Sequence, residues 1–430
     1  MEPWVKITLL LSVYGILKEI RPSEPFITEF LTHPPMNFTE QQVVEDIYPV
    51  SVYATFTLSV VIFLITDLVR YKPIIVLLSA SATAVYAMLV FGRTLFIMQV
   101  LEVFYGLFTA CEVAYYSYIY AKVDRTHYQE VTGYTRSAYL LGRSVSGIIS
   151  QTLIWTGFSY LSLNVVTLGT MCISGVWALF LPPVDSSIYF NPRETDPLTG
   201  ATVKRPMGEK MAHGFRQLWK DFITAFSSPY VIKWAFWWAL ATCCYYQILE
   251  YVQTLWKQIL RENPQKGGDW NGAVETSYTL ISAAGAYGFG RLQVDWAKYG
   301  ELVLCVGSLV NAGLLYIMAQ TPYIFVAYAT KILYALIYNS IMTITNSEVA
   351  KNINPDSYGL IFGFTTFLAL LMQTILTIVV IEYLALSPRD QFTVYGGYFA
   401  VLGIVFALKS CVDLVRRSCR ESNHFSSDRP

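Results

Sequence analysis

Charged residues are scarce in this chain. Only 14% of its 430 residues are Asp, Glu, Lys or Arg, where soluble domains have roughly 25%, and 54% are hydrophobic. The 30 basic and 30 acidic residues cancel to a net charge of +0, so the composition does not favour nucleic acid as a partner. We expect a protein whose surroundings are the lipid bilayer.

Motifs of metal, redox and catalytic chemistry are missing as well. The 7 cysteines show no CxxC spacing and the 4 histidines do not cluster, so neither a disulfide framework nor a zinc site is indicated. The sequence has no Gly-rich phosphate loop and no nucleophile with a base at recognisable spacing. We therefore predict no enzyme activity, no cofactor and no metal site. The N-terminus lacks the basic segment of a signal peptide, so the first apolar helix should be retained.

Long apolar runs recur along the whole chain. Each approaches the ~20 residues of helix that cross about 30 Å of hydrocarbon. The pattern predicts an all-α membrane protein with twelve transmembrane helices. These spans are placed at 5–29, 47–66, 73–92, 95–121, 138–157, 160–182, 231–256, 272–291, 299–320, 322–346, 356–386 and 391–415.

The basic residues are sorted between the two sides of these spans. Roughly eighteen Lys and Arg fall in alternate connections against about five in the others, and by the positive-inside rule this places both termini in the cytoplasm. The first connection, on the opposite side, contains the sequon Asn37-Phe38-Thr39. Asn37 is therefore a predicted glycosylation site.

One long polar connection divides the spans into two sets of six. Two six-helix halves are the layout of major facilitator carriers, whose substrate site lies near the midplane between the halves. Part of the connection, from Glu209 to Phe226, has the pattern of an amphipathic helix. The predicted boundaries are 1–182 for the N-terminal half, 183–230 for the cytoplasmic linker, 231–415 for the C-terminal half and 416–430 for a cytoplasmic tail.

A carboxylate, Glu112, lies in the middle of the fourth span. Burial of an ionised group at bilayer depth costs at least ~2.5 to 3.5 kcal/mol, so such a residue usually has a functional partner. Tyr105, Tyr115 and Tyr116 share its helix face, and an anion framed by aromatic rings suits a cation. We predict that Glu112 contacts a transported solute. The alternatives are protonation or a pair with a basic residue on another helix.

The end of the first span is crowded with charges and is broken by Pro22 and Pro25. Broken helices are tolerated at membrane depth where they line a cavity. We expect some of these charges to be interface residues at the outer mouth and only Glu24 to lie deep enough for a functional role. For Glu102, in the fourth span, a structural role is expected. The crowded charges are Lys18, Glu19, Arg21, Glu24 and Glu29.

Arg143, in the fifth span, is the one arginine placed well inside the first half, and it needs an anion. An internal ion pair with Glu112, Glu250 or Glu24 is expected, and a substrate carboxylate is the alternative. In the seventh span, Tyr246 lies four residues before Glu250, on the same helix face. This arrangement repeats the combination of carboxylate and aromatic ring seen at Glu112.

A series of runs, in order from Arg21 to beyond Tyr398, carries a resemblance to a known family. The runs are RPSEPFITEFL, TDLVRYKP, MQVLEVFYG, EVAYYSYIY, HYQEVTGYTRS, LNVVTLG, WWALATCCYYQILEYVQTLW, WNGAVE, GLIFGFTTFLALLMQTILT and QFTVYGGYFAV. In these runs the sequence resembles the reduced folate carrier and thiamine transporter family of the major facilitator superfamily. The resemblance implies a plasma-membrane vitamin carrier that works by alternating access between two halves.

Three positions bear on the substrate that the resemblance implies. Folate carriers of this family have arginines where Glu112 and Ala335 stand and a lysine where Gln373 stands, and these cations balance the dianionic folate tail. The thiamine branch resembles this chain in having a glutamate at the position of Glu112 and a glutamine at the position of Gln373. A thiamine-like cation is therefore the first expectation.

Three departures from the thiamine branch keep other substrates open. Ser51 stands where that branch has a tryptophan, Arg143 where it has a substrate-facing tyrosine, and Glu250 where it has an asparagine. Neutralisation of Arg143 by Glu250 would leave Glu112 as the net charge, whereas an Arg143 that meets an anionic substrate would favour a folate-like or phosphorylated ligand. A reduced folate carrier, an orphan vitamin carrier and a membrane receptor that does not transport remain the alternatives.

The predicted substrate site combines polar and aromatic side chains from both halves. Three tyrosines would stack on the substrate, and the polar residues would contact its charged and hydrogen-bonding groups. The predicted substrate-binding residues are Glu24, Glu112, Tyr115, Tyr116, Arg143, Tyr246, Glu250 and Gln373.

Overall fold

The computed structural model describes residues 2–123, 127–184, 190, 207–264, 270–291, 294–353 and 357–427, and these residues form helices and connections without strands. The helices are α1 Pro3–Glu19, α2 Ile27–Thr32, α3 Tyr48–Leu68, α4 Lys72–Phe91, α5 Leu95–Lys122, α6 Tyr128–Trp155, α7 Tyr160–Leu179, α8 Met207–Phe226, α9 Pro229–Glu262, α10 Asn271–Arg291, α11 Trp296–Gln320, α12 Ile324–Lys351, α13 Tyr358–Thr377 and α14 Pro388–Ser427. Short π-helical turns, Gln42–Ile47 and Ile378–Tyr383, precede α3 and follow α13.

Each of the twelve predicted spans coincides with a helix of the structure. The largest differences are at helix ends. Helix α6 begins at Tyr128 rather than at 138, and α14 continues to Ser427, past 415 and into the predicted tail. Hydropathy detects only the part of a helix that suits hydrocarbon, whereas backbone hydrogen bonding continues a helix beyond it. The predicted turns at 191–200 lie outside the described residues.

Eight helical stretches of the described chain are long and apolar enough to cross a membrane. They correspond to α3, α4, α5, α7, α11, α12, α13 and α14. Four further helices, α1, α6, α9 and α10, coincide with predicted spans but are shorter or more polar. These four carry several of the charged side chains that meet inside the protein, namely Lys18, Glu19, Arg143, Glu250 and Glu275, which lowers their hydropathy.

The predicted break in the first span is confirmed. Helix α1 ends at Glu19, and a 3₁₀ turn, Glu24–Phe26, precedes α2. Side chains of α6 and α7 bind the backbone that the break exposes: the Ser146 hydroxyl accepts from the Arg21 N–H at 2.9 Å, and the Thr170 hydroxyl donates to the Ile20 carbonyl at 2.7 Å. Buried non-helical backbone is stable because neighbouring side chains satisfy its polar groups.

Two sets of six spans pack together, one on each side of the linker, with α1 and α2 both belonging to the first span. In the first set, α5 packs on α3 and α4, and α1 packs on α6 and α7; in the second, α14 packs on α11 and α9, and α12 on α10. The two halves meet where α6 packs on α10 and α3 on α13. We call the end that contains Asn37 the sequon end, and the end that contains α8 the linker end.

The predicted amphipathic helix of the linker is confirmed as α8. Its residue Leu218 is buried, and the rings of Phe222 and Phe226 lie 4.8 and 5.3 Å from the ring of Phe364 on α13. Trp219 is 64% exposed, and its ring stacks on that of Phe222 at 5.8 Å. Helix α8 therefore attaches the linker to the C-terminal half through one apolar face.

Candidate substrate site

Glu112 is paired with a lysine of the broken first helix. Its Oε1 lies 2.7 Å from the Nζ of Lys18, which also contacts the Glu19 carboxylate. The Lys18 side chain is fully buried, while that of Glu112 is 25% exposed. The alternative of a basic partner on another helix is thus correct for Glu112 in this conformation, and its exposed fraction leaves it within reach of a solute.

The chain of charges continues from Glu19 to Glu24. Arg21 Nη2 lies 2.8 Å from Glu19 Oε2, and its Nη1 lies 2.6 Å from Glu24 Oε1. Tyr86 donates a hydrogen bond of 3.3 Å to the same Glu24 oxygen. Because Lys18, Glu19 and Arg21 are buried, the expectation that only Glu24 lies deep is wrong. The cluster contains three carboxylates and two cations when Glu112 is included.

The tyrosines around Glu112 surround a cation of the protein itself, the ammonium group of Lys18. The Nζ of Lys18 lies 5.0, 5.8 and 5.6 Å from the ring centroids of Tyr115, Tyr116 and Tyr139. Tyr115 is fully buried and its hydroxyl donates a 3.4 Å hydrogen bond to the Leu11 carbonyl. Its ring is thus a packing element in this conformation, whereas the half-buried Tyr116 remains open to contact.

Arg143 forms an internal ion pair, but its partner is Glu275 rather than one of the expected carboxylates. Its Nη2 contacts Glu275 Oε1 and its Nε donates to the same oxygen at 3.1 Å. Arg143 also donates to the hydroxyls of Tyr139 and Tyr278 at 3.0 and 3.1 Å, and Tyr278 donates to Glu275 at 2.6 Å. Arg143 lies on α6 and Glu275 on α10, so this pair joins the two halves.

Two further carboxylates have no cationic partner among the described residues. Glu250 on α9 accepts a 3.1 Å hydrogen bond from the hydroxyl of Ser51 on α3. Glu102 on α5 is 7% exposed and interacts electrostatically with Glu250. The predicted neutralisation of Arg143 by Glu250 is therefore not observed, and neither Glu102 nor Glu250 has a basic partner among the described residues.

These groups converge between the halves. Glu24 interacts electrostatically with both Arg143 and Glu250, and Tyr246 interacts with Glu112. Tyr246 and Glu250 are half-buried, whereas Gln373 on α13 is 4% exposed. Within the described residues no group of three or more His, Cys, Asp or Glu could hold a metal ion. What the site offers a ligand is charge, aromatic surface and hydrogen bonds.

Polar contacts join the halves at the sequon end. Lys257 Nζ lies 3.4 Å from Glu29 Oε2, and Arg261 Nη1 lies 2.6 Å from Glu40 Oε2. Further hydrogen bonds join Gln253 to the Glu24 carbonyl at 2.8 Å, Tyr53 to Glu382 at 2.6 Å, and the Ala273 N–H to Gln151 at 2.9 Å. The conformation is thus closed at this end.

Sequence reasoning missed four charged members of the site. Lys18, Glu19 and Arg21 lie at a helix end, where a linear pattern cannot distinguish a buried group from an interface group. Glu275 was visible as a carboxylate just inside the eighth predicted span, within the run WNGAVE. A search for every ionisable residue within a span would have found it.

The comparison with protein families decides the affiliation. The model of the reduced folate carrier family matches residues 2–394. The chain belongs to the reduced folate carrier family. This agrees with the resemblance carried by the sequence runs from Arg21 onward.

Characterised relatives include both thiamine and folate transporters. The chain is similar to mouse thiamine transporter 1, with 36% identity over 99% of this chain and 93% of that protein. It is equally similar to folate transporter 1 of Caenorhabditis elegans, with 37% identity over 96% of this chain and 94% of that protein. Human thiamine transporter 1 is 35% identical over 98% and 92% of the two chains. These family members are vitamin transporters on both branches.

Solved structures confirm the fold. A transporter of the POT family in complex with a thioalcohol-conjugated peptide aligns with a TM-score of 0.67 at 12% identity, covering 94% of this chain and 95% of that one. An inward-facing bacterial homologue of the lysosomal transporter Spinster aligns with a TM-score of 0.65 at 12% identity, covering 95% and 98%. The chain therefore has the major facilitator fold of two six-helix halves.

Proposed function

We propose that this protein is a secondary transporter that moves a water-soluble vitamin across the plasma membrane by alternating access, with a thiamine-like cation as the favoured substrate. Both termini are proposed to be cytoplasmic, which places the sequon end, with Asn37 as its glycosylation site, outside. The domain boundaries follow the sequence: halves at 1–182 and 231–415, a linker at 183–230 and a tail at 416–430.

The observation that carries this proposal is the excess of carboxylate in the site. Burial of an unbalanced charge is costly, so a cationic substrate is stabilised where carboxylates outnumber basic groups. Among the described residues of the candidate site, six are carboxylates: Glu19, Glu24, Glu102, Glu112, Glu250 and Glu275. Four are basic: Lys18, Arg21, Arg143 and Lys331.

Within this site we assign contact with the substrate to the half-exposed groups. Glu24, Glu112 and Glu250 would contact the cationic and hydrogen-bonding parts of a heteroaromatic ring, and Tyr116 and Tyr246 would stack on it. Gln373 completes the polar lining. Tyr115 supports Tyr116 and Lys18 from behind, and Arg143 joins the halves through Glu275.

A reduced folate is the second candidate, and two observations favour it. The side chain of Arg143 is 20% exposed, so its guanidinium is a cation of the site within reach of an anionic tail. A folate transporter is also among the relatives at 37% identity. An orphan vitamin carrier of the same family and a receptor that does not transport are further outcomes of the test.

Uptake of labelled thiamine and of labelled reduced folate into cells that express the chain tests the proposal. We expect saturable thiamine uptake that falls by about tenfold or more in Glu250→Gln and in Glu112→Gln, because each change removes a negative charge from a desolvated site. Glu209→Gln, an exposed glutamate on α8, is the matched control and should transport normally. Folate uptake without thiamine uptake would contradict the substrate assignment, and binding without flux in proteoliposomes would favour a receptor.

A further inference from the structure

Lys331 on α12 is a buried ammonium group without an acceptor. Its side chain is 1% exposed, and its Nζ has no hydrogen-bond partner among the described residues. The Nζ lies 5.6, 5.2 and 5.7 Å from the ring centroids of Tyr245, Tyr278 and Tyr334. We call these three rings and Lys331 the lysine cage.

The ring faces of the lysine cage are suited to a cation and unsuited to an anionic ligand. The face of an aromatic ring carries partial negative charge, so it attracts the ammonium and repels a carboxylate or phosphate. Cation–π attraction offsets only part of the cost of burying a charge without a carboxylate. In this conformation Lys331 therefore has no directly bound counter-ion among the described residues. A carboxylate elsewhere in the molecule could serve as one.

Glu275 is the carboxylate that acts on Lys331 in this half of the molecule. The two charges interact electrostatically, and Tyr278 connects them, because its ring lies in the lysine cage and its hydroxyl donates to Glu275 at 2.6 Å. Glu275 is occupied, however, by Arg143 of the other half. Two basic groups thus compete for one carboxylate.

The interface that joins Arg143 to Glu275 depends on close approach of α6 and α10. A Cβ atom added at Gly147 would lie 2.8 Å from the Gly272 carbonyl oxygen, so only glycine permits this contact. In alternating access, opening of the sequon end would separate α6 from α10 and so remove Arg143 from Glu275. Lys331 and Glu275 remain together, because α12 and α10 pack within the same half.

We propose that Lys331 replaces Arg143 as the partner of Glu275 when the sequon end opens, and that it is a positioning residue for the open state. The exchange keeps Glu275 paired in both conformations, so neither state buries it alone. The inference rests on the alternating access of the proposed function and does not depend on which vitamin is carried. It also accounts for a lysine in an apolar helix that has no hydrogen-bond partner among the described residues.

Distances between spin labels at the sequon end test the exchange without any substrate. Labels at Phe158→Cys and Tyr323→Cys lie on exposed positions of different halves. Cys172 and Cys411, which are exposed, are replaced by serine together with Cys419. In the full chain in lipid nanodiscs we expect a short and a long distance, and Lys331→Met should reduce the long-distance population by at least about tenfold.

Two further variants keep this test decisive. Lys331→Arg retains the charge and should retain the long-distance population, and gel filtration verifies that each variant is folded. In a Glu275→Gln background, Lys331→Met should have no further effect, since the carboxylate is gone. The proposal is overturned if Lys331→Met leaves the populations unchanged, if it acts equally in both backgrounds, or if the unsubstituted protein shows only the short distance. Absence of thiamine uptake with these distance changes intact would contradict the proposed substrate alone.

Discussion

Lys18 and Lys331 have the same aromatic surroundings and different ion pairing. Each Nζ lies between 5.0 and 5.8 Å from the centroids of three tyrosine rings. Lys18 also contacts two carboxylates, Glu19 and Glu112, whereas Lys331 has no hydrogen-bond partner among the described residues. The N-terminal half thus contains a satisfied cation and the C-terminal half an unsatisfied one.

The difference indicates that Lys18 stabilises the structure in this conformation, whereas Lys331 acts in another one. Cation–π attraction contributes ~2 kcal/mol or more when desolvated, but burial of an ion costs several kcal/mol. Three rings alone therefore do not compensate for the burial of Lys331, while two carboxylates offset the burial cost of Lys18. Lys18 holds the broken first helix against α5, and Lys331 is available for a new partner.

Removal of each lysine should have opposite effects on stability, and this is the largest effect that we expect. Lys18→Met leaves Glu19 and Glu112 without their shared cation, which should destabilise the protein by about 3 to 5 kcal/mol. Lys331→Met removes an uncompensated charge and should leave stability in the closed state unchanged or raise it. The measurement is the Tm of the purified protein in detergent.

Methionine at both positions makes the two variants a matched pair, since the side chain keeps a similar length and loses only the charge. Equal losses of Tm in both variants would mean that the tyrosine rings alone compensate for a buried ammonium. An increase for Lys18→Met would mean that the carboxylates of its cluster are protonated. Either result would remove the distinction between the two lysine sites.

The sequence predicted the framework of this comparison through local signals. Apolar runs marked the spans, the prolines at 22 and 25 marked the break, and Glu112 stood out because charge is rare in its span. Each of these signals lies within a single helix or turn. They sufficed for the fold and for several of the polar residues between the halves.

The pairing of charges could not be predicted because it depends on contacts between distant helices. Arg143 meets Glu275 only because α6 and α10 approach closely at Gly147 and Gly272. Lys18 is buried because α1 packs on α6 and α7 and the end of α1 meets Glu112 of α5. A linear pattern identifies which residues need a partner, but the partner is selected by the packing of the two halves.

Neutralisation of the carboxylates should have an intermediate effect on stability. Here the larger loss is expected in the C-terminal half, whereas for the lysines it is expected in the N-terminal half. Glu275→Gln leaves both Arg143 and Lys331 without a carboxylate, and we expect destabilisation by about 3 kcal/mol. Glu112→Gln leaves Lys18 with Glu19, so the loss should be about 1.5 kcal/mol, the value of one charge-assisted hydrogen bond. Tm values of the two variants, measured side by side, check the ranking. A larger loss for Glu112→Gln would show that Lys331 does not depend on Glu275.

The smallest effect on stability should come from removal of the tyrosine hydroxyls near the two lysines. Tyr278 accepts from Arg143 and donates to Glu275, so Tyr278→Phe removes two hydrogen bonds while the ring remains, and we expect a loss of about 1 to 2 kcal/mol. Tyr116 makes no hydrogen bond to the described residues, and Tyr116→Phe should be close to neutral for Tm. Both changes keep the aromatic ring, so the cation–π contact of each lysine is retained. Any change in Tm is then due to the lost hydroxyl. Equal effects would assign the stabilisation to the rings and remove Tyr278 as the connection between Lys331 and Glu275.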